Sequence, residues 1–121
     1  MLQMCWCTIR VSDMAKAASF YQDILGLELE RRFQPEPSKT IAFYRAGSGM
    51  AVELIQDNEA EGNQVNTGVS LAFATRDFDN LLQEITAKEI TIKRGPLTLG
   101  KDTTCFFIED PDGVEIQIVK A

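Results

Sequence analysis

Few side chains in this sequence could perform acid–base or nucleophilic chemistry, because it contains no histidine. A serine or cysteine nucleophile therefore lacks its usual base. The three cysteines are Cys5, Cys7 and Cys105, and their odd number and spacing predict neither a disulfide framework nor a thiolate zinc site. Glu53 is different, because it is an acidic residue in an otherwise apolar run, where it could act as a general base on a carbon acid. The same carboxylate could also be inert.

A β-hairpin near the end of the sequence organises the predicted fold. Two β-rich runs flank Asp110-Pro111-Asp112-Gly113, in which proline presets the φ of a type I turn and glycine supplies the positive φ that closes it. A weaker copy lies 64 residues upstream, with Phe43 corresponding to Phe107. In that copy Gly47-Ser48-Gly49 is predicted as a hairpin turn, since it has neither the length nor the position of a phosphate-binding loop.

Hydrophobic spacing predicts the elements around the two hairpins. In the first half it predicts strands at 4–11, 27–33, 40–46 and 50–56, a helix at 13–25, and a loop at 34–38. In the second half it predicts strands at 67–75 and 90–93, a helix from 78 to about 88, turns at 95–96 and 100–102, and the hairpin at 103–119. The prediction is a single domain over 1–121, with module one at 1–57, a polar linker at 58–66 and module two at 67–121.

Composition limits the classes of function. The chain has 121 residues and a net charge of −6, and its lysines and arginines are scattered, which argues against binding of a nucleic-acid backbone. No run of about 18 apolar residues suggests a membrane span, and the start lacks the basic and apolar segments of a secretory signal. We therefore expect a cytoplasmic globular protein without nucleic-acid or membrane partners.

Two motifs in this tandem β-α-β-β-β pattern carry a family resemblance. Phe20-Tyr21 followed by Leu25-Gly26-Leu27, together with the Glu109–Gly113 turn, resembles the vicinal oxygen chelate superfamily, which includes glyoxalase I, bleomycin-resistance proteins and extradiol dioxygenases. The resemblance implies an α+β fold, in which two tandem βαβββ modules form a cup-shaped mixed sheet with helices outside and a cavity within. It also implies a homodimer.

The resemblance also implies where a metal would bind. Metalloenzymes of this superfamily use imidazole and carboxylate ligands from the first and last strand of each module. Carried over, the four positions fall on Trp6, Glu53, Ser70 (or Val69) and Gln117. Because indole offers no lone pair and the hydroxyl and carboxamide are weak neutral donors, Glu53 would hold an ion nearly alone. The resemblance thus implies no catalytic metal and no cofactor, unless a shifted strand brings Cys5 or Cys7 into the first position.

Strand parity extends these positions to a predicted ligand-binding site. If Trp6 faces the cavity, so do Thr8 and Arg10, with small residues on the opposite module. The predicted site comprises Trp6, Thr8, Arg10, Glu53, Ser70, Ala72, Phe107 and Gln117. An aromatic plate beside one cation and one carboxylate favours a planar or amphipathic small molecule over a phosphate. In the alternative interpretation, Trp6 simply fills the vacated metal site and Arg10 pairs with Glu53.

Three hypotheses for function follow. The first is a glyoxalase- or bleomycin-resistance-like protein that binds a small aromatic or amphipathic molecule without metal, for sequestration or sensing. The second is a lyase or isomerase of the glyoxalase-like type that uses Glu53 as its catalytic residue. The third is a filled cup that acts only as a dimeric interaction module. The sequence leaves open whether the protein is an enzyme.

Overall fold

The computed structural model describes residues 1–59 and 68–121, and the chain divides into two compact units, residues 1–66 and 67–121. The first unit contains β1 (Trp6–Arg10), α1 (Met14–Ser19), a π-helical segment (Phe20–Ile24), β2 (Glu28–Glu36), β3 (Lys39–Arg45) and β4 (Ala51–Asp57). The second contains β5 (Ser70–Thr75), α2 (Phe78–Ala87), β6 (Arg94–Leu99), β7 (Thr103–Glu109) and β8 (Glu115–Lys120). Most of the predicted linker, residues 60–66, lies outside the described residues, so the predicted domain division stays a prediction.

Each unit forms one mixed sheet of four strands. The orders are β1-β4-β3-β2 and β5-β8-β7-β6, with the first pair of each sheet parallel and the remaining pairs antiparallel. The predicted α+β class and the tandem βαβββ pattern are therefore confirmed, with the strands in two sheets. Among the described residues, neither helix has the length and apolarity needed to cross a membrane.

The first helix begins as predicted but changes its winding. The Asp13 carboxylate caps it by accepting from the backbone N–H of Lys16 at 3.2 Å, and Met14 and Ala17 face the core. After Ser19 the backbone widens into the π-helical segment, where the rings of Phe20 and Tyr21 are both buried and lie 5.2 Å apart. The single α-helix predicted over 13–25 is thus α-helical only in its first part.

Two predictions at the sheet edges are wrong, and both fail for the same reason. The predicted loop at 34–38 is mostly strand, because β2 continues through Pro35 to Glu36. The predicted strand at 90–93 lies earlier than the real one, and β6 contains Gly95 and Pro96. β2 and β6 are edge strands whose pairing is irregular at these prolines, so a missing N–H breaks no regular ladder there.

The predicted turn of the second hairpin is confirmed. Asp110 is only 5% exposed, and its Oδ1 accepts from the backbone N–H groups of Asp112 and Val114, both at 2.8 Å. Gly113 has φ 83°, and its N–H donates to the Asp110 carbonyl at 3.1 Å. This turn fixes the register of β7 on β8, which places Phe107 opposite Gln117.

Candidate functional site

Alternation along β1 separates the first sheet into two faces. Ile9 is buried and Cys7 partly buried on the face that α1 covers, whereas Trp6, Thr8 and Arg10 are exposed on the other side. We call this uncovered side the first open face. The predicted parity of Trp6, Thr8 and Arg10 therefore matches the strand, and these three side chains project from one surface.

Four side chains of the first open face form a row across the sheet. The strand register places Thr8 beside Glu53, Glu53 beside Phe43 and Phe43 beside Arg31. The Thr8 hydroxyl donates to Glu53 Oε1 at 2.6 Å, and the Arg31 guanidinium carbon lies 4.2 Å from the Phe43 ring centroid. This first row thus carries a hydrogen-bonded carboxylate at one end and a cation over an aromatic ring at the other.

Trp6 lies one residue pair away from the row but still contacts it. Its register partner on β4 is Ala51, whose small side chain lets the indole reach Phe43 with ring centroids 5.3 Å apart, edge to face. Phe43 is only 3% exposed, whereas Trp6 keeps 48% of its surface accessible. The indole therefore packs on Phe43 and still has accessible area within its own unit, and the role of Trp6 stays a prediction.

The second sheet has a corresponding row of four side chains, with different residues at several of its positions. Ala72 lies beside Gln117, Gln117 beside Phe107, and Phe107 beside Arg94, whose guanidinium carbon is 5.3 Å from the ring centroid. Ser70 occupies the position that corresponds to Trp6, and both Ser70 and Ala72 are exposed. The predicted residues of the second unit thus share one face, which we call the second open face.

Comparison with known protein families identifies a superfamily that matches nearly the whole chain. The family model of the Glyoxalase/Bleomycin resistance protein/Dioxygenase superfamily matches residues 3–118. The chain belongs to this superfamily. The match confirms the resemblance drawn from the helix motif and the hairpin turn.

Relatives within the superfamily are similar along the whole chain. A lactoylglutathione lyase of Haemophilus influenzae is 30% identical over 126 aligned positions, covering 98% of this chain and 93% of that protein. The structure of a superfamily member from Sphaerobacter thermophilus superimposes with a TM-score of 0.82 at 26% identity, covering 100% of this chain and 98% of the other.

Two plant relatives are longer than this chain. The structure of the E144Q glyoxalase I mutant from Zea mays gives a TM-score of 0.84 at 29% identity over 97% of this chain, which spans 44% of the maize chain. The chain also spans 41% of an Arabidopsis thaliana lactoylglutathione lyase that is 29% identical to it. It therefore corresponds in length to less than half of these plant proteins.

The donor set does not fit the metal site of the superfamily's metalloenzymes. Of the four positions carried over, only Glu53 is a carboxylate, and its Oε1 already accepts from Thr8. Within residues 1–59 and 68–121, no group of three or more histidine, cysteine, aspartate or glutamate side chains could hold an ion. Cys7 belongs to the opposite face of β1, so it does not replace Trp6 as a donor there.

Sequence reasoning missed Arg31 and the role of Phe43 in the first row. Phe43 could have been found, because it lies 64 residues before the predicted site residue Phe107. Arg31 gave no comparable signal, since an arginine on a charged edge strand resembles any solvated side chain.

An ion pair next to Arg31 fixes its strand. Arg45 on β3 donates to Glu30, the extra residue at the irregularity of β2, and also to the Gly49 carbonyl at 2.6 Å. The hydrogen bond from Arg45 lowers the pKa of the Glu30 carboxyl below its usual value. The pair ties β2 to the turn before β4, and so it holds the backbone immediately before Arg31.

A surface depression of about 320 Å³ lies further along β2 and β3, lined by Arg32, Phe33, Gln34 and Thr40. None of the predicted site residues lines it. Arg32 and Thr40 also belong to the helix-covered side of the sheet, since their strand partners alternate with those of the first row. Phe33, over which the Arg31 guanidinium lies, also lines the depression and so connects it to the edge of the first open face.

Proposed function

We propose that this superfamily member binds a planar or amphipathic small molecule without a metal ion, and so acts in sequestration or sensing. The observation that carries the proposal is the half-exposed indole of Trp6, held edge-on against buried Phe43 beside the polar groups of the first row. Small-molecule sites are mostly apolar or aromatic surfaces with a few placed polar groups, and the first open face has that composition.

The chemistry of the donors supports a metal-independent role. A divalent ion needs several imidazole, thiolate or carboxylate ligands, and the carried-over positions provide one carboxylate, an indole, a hydroxyl and a carboxamide. The carboxylate is also engaged by a hydroxyl within its own sheet. We therefore derive no reaction step through a metal.

A second candidate function is a lyase or isomerase, and the names of the relatives favour it. The Haemophilus influenzae protein at 30% identity is a lactoylglutathione lyase. In this candidate, Glu53 removes a proton from a carbon acid, with Thr8 holding Oε1 so that Oε2 is directed at the substrate. Replacing Glu53 with Gln would then abolish turnover, whereas binding of a neutral aromatic compound would survive.

We also infer a homodimer and a cytoplasmic location. Leu29 on edge strand β2 is 47% exposed, which supports burial of its side chain against a second copy. The ordinary globular composition and net charge of −6 support the cytoplasmic assignment. Sedimentation equilibrium of the purified chain tests the dimer directly.

The test of the proposed function begins with chelator-treated protein. Trp6 is the only tryptophan, so its emission reports binding at this face without a label. We expect the neutral quencher 4-nitrobenzamide to bind saturably, with the same affinity before and after treatment with EDTA. By calorimetry, Trp6→Ala should weaken binding about fivefold or more, because stacking of a planar ring on an aromatic side chain contributes about 1–3 kcal/mol. The exposed apolar control Leu99→Ala should change it less than about twofold.

Two results would reverse the order of the candidates. Stoichiometric metal in the purified protein, measured by elemental analysis, would contradict the metal-independent proposal. Lactoylglutathione lyase activity that is lost on chelation or in Glu53→Gln would establish the enzyme instead. Absence of saturable quenching by any planar probe would contradict a ligand site at Trp6.

A further inference from the structure

The guanidinium of Arg31 lies over two aromatic rings of the first open face. It lies over Phe43 at 4.2 Å and over Phe33 at 5.6 Å, measured from the guanidinium carbon to each ring centroid. Such stacking satisfies the flat face of the cation and leaves the in-plane N–H groups to bind hydrogen-bond acceptors. Arg31 is exposed, so those N–H groups are accessible within its unit.

The carboxylates around Arg31 have other partners. Arg45 binds Glu30, and Lys39 contacts Glu36 and Asp57 at 3.8 and 3.9 Å. Among the described residues, no carboxylate oxygen lies within 4.0 Å of the Arg31 guanidinium. Glu53, the carboxylate of the same row, is on the second strand from Arg31, with a backbone separation of about 9–10 Å and Phe43 between them.

From these observations we propose that Arg31 is the anion receptor of the first open face, and that the ligand is a planar aromatic carboxylate. The inference rests on the proposed function, because it specifies the chemical class of the molecule that Trp6 contacts. The indole and the guanidinium both lie within about 5 Å of the Phe43 ring, at 5.3 and 4.2 Å. One substituted benzene ring can therefore contact Trp6 while its carboxylate reaches Arg31.

The geometry of the cation favours a carboxylate over other groups. A guanidinium presents two parallel N–H groups that match the two oxygens of a carboxylate, and charge-assisted pairs of this kind are stronger than neutral hydrogen bonds. At the other end of the row, the Glu53 carboxylate disfavours a ligand with negative charge on both sides. The site thus selects a molecule with one anionic end and one uncharged aromatic end.

The experiment compares probes that share one ring and differ in charge. 4-Nitrobenzoate, 4-nitrobenzamide and 4-nitrobenzylammonium are titrated into the full chain, and quenching of Trp6 emission gives each dissociation constant. We expect wild-type protein to bind the benzoate about tenfold more tightly than the amide, as a charge-assisted hydrogen bond implies. This preference should shrink as salt is added.

Variants assign the preference to one side chain. Arg31→Gln should weaken benzoate binding about tenfold and leave amide binding unchanged. Arg31→Lys keeps the charge without the planar fork, and should retain only part of the preference. Arg32→Gln is the matched control, because it makes the same charge change one residue along, on the opposite face, and should leave both affinities within about twofold.

Each outcome bears on one proposal. Equal affinity of wild-type protein for benzoate and amide, or equal weakening of both by Arg31→Gln, would overturn the anion-receptor proposal and leave the ligand site at Trp6 standing. Tighter binding of the ammonium probe would assign recognition to Glu53 and overturn it as well. Failure of all three probes to bind would contradict the proposed function itself. If Arg31→Gln does not fold, Arg31→Lys and the salt dependence of wild-type binding decide the question.

Discussion

The two open faces share the same row of strand positions, with an arginine over a phenylalanine, and differ in the side chains at the other positions. In both sheets an arginine on an edge strand lies over a phenylalanine of the neighbouring strand, at 4.2 Å for Arg31 and 5.3 Å for Arg94. Because this arrangement recurs in both βαβββ units, it belongs to the repeated fold. The arginine–phenylalanine pair alone therefore marks no function.

The difference between the faces lies on the outer parallel strands. β1 presents an indole, a hydroxyl and a guanidinium, where β5 presents the small side chains of Ser70, Ala72 and Ala74. The last strand follows the same division, with a carboxylate at Glu53 and an uncharged amide at Gln117. Charged and aromatic side chains are thus concentrated on the first open face, and the second open face has small, uncharged side chains at the corresponding positions.

The largest expected effect is on stability, and it tests the buried phenylalanine that both rows share. Phe43 and Phe107 are 3% and 7% exposed, so replacing either with Ala should lower the free energy of unfolding by about 3–5 kcal/mol, because the lost contacts leave a cavity. Phe43→Ala should also shift Trp6 emission to the red, since the indole loses its edge-to-face partner. Urea unfolding followed by circular dichroism, together with emission spectra of the folded variants, measures both effects.

The control for that experiment is Phe33→Ala, on the edge strand of the first sheet. Phe33 is 41% exposed, so its removal should cost about 1 kcal/mol or less. If Phe43→Ala were as mild as Phe33→Ala, the row would not be a packed frame, and the comparison between the sheets would lose its basis.

A smaller effect tests what distinguishes the two rows. The hydrogen bond from Thr8 to Glu53 should give a coupling free energy of about 1 kcal/mol in a double-mutant cycle of Thr8→Val and Glu53→Met, measured by urea unfolding. The corresponding positions on the second sheet, Ala72 and Gln117, have no hydroxyl and no carboxylate. The pair can therefore be transplanted there as Ala72→Thr with Gln117→Glu.

The transplanted pair shows whether strand register alone creates the interaction. Ala72 and Gln117 are register partners just as Thr8 and Glu53 are, so the new hydroxyl and carboxylate should couple with the same sign. Coupling near zero on the second sheet, beside normal coupling on the first, would mean that the surroundings of Glu53, and not its register, hold the bond.

Strands with regular alternation could be predicted from sequence, and the two proline-containing strands could not. Alternation in β1 and the Asp110–Gly113 turn are local signals, and both gave the correct faces and register. The prolines in β2 and β6 misled the prediction, because a proline rule written for paired strands does not apply at irregular edges.

The residues of the candidate site divide in the same way, between those that a local signal places and those that depend on the alignment of strands. Parity placed Trp6, Thr8 and Arg10 on one face, since that depends only on the strand itself. The hydrogen-bond partner of Glu53 was harder to predict. The register of a parallel strand pair depends on contacts between residues far apart in sequence, and Thr8 and Glu53 are 45 residues apart. Arg31 was missed because its position over Phe43 depends on the alignment of an edge strand, which no local pattern encodes.

The smallest expected effect compares the ion pairs that hold the two edge strands. Arg45 lowers the pKa of Glu30 by hydrogen bonding, so this pair stabilises the fold above the ordinary glutamate pKa of about 4.3, and the contribution is lost as the pH falls through the lowered value. Glu30→Gln should therefore lower the urea midpoint slightly at pH 7, and this difference should shrink as the pH falls below the ordinary glutamate pKa. In the second unit, Lys93 and Glu109 are 3.6 Å apart, so Glu109→Gln should have the weaker effect at pH 7. An equal effect of both substitutions would mean that the hydrogen bond to Arg45 adds nothing beyond proximity of charge, and Arg31 would then depend on stacking alone for its position.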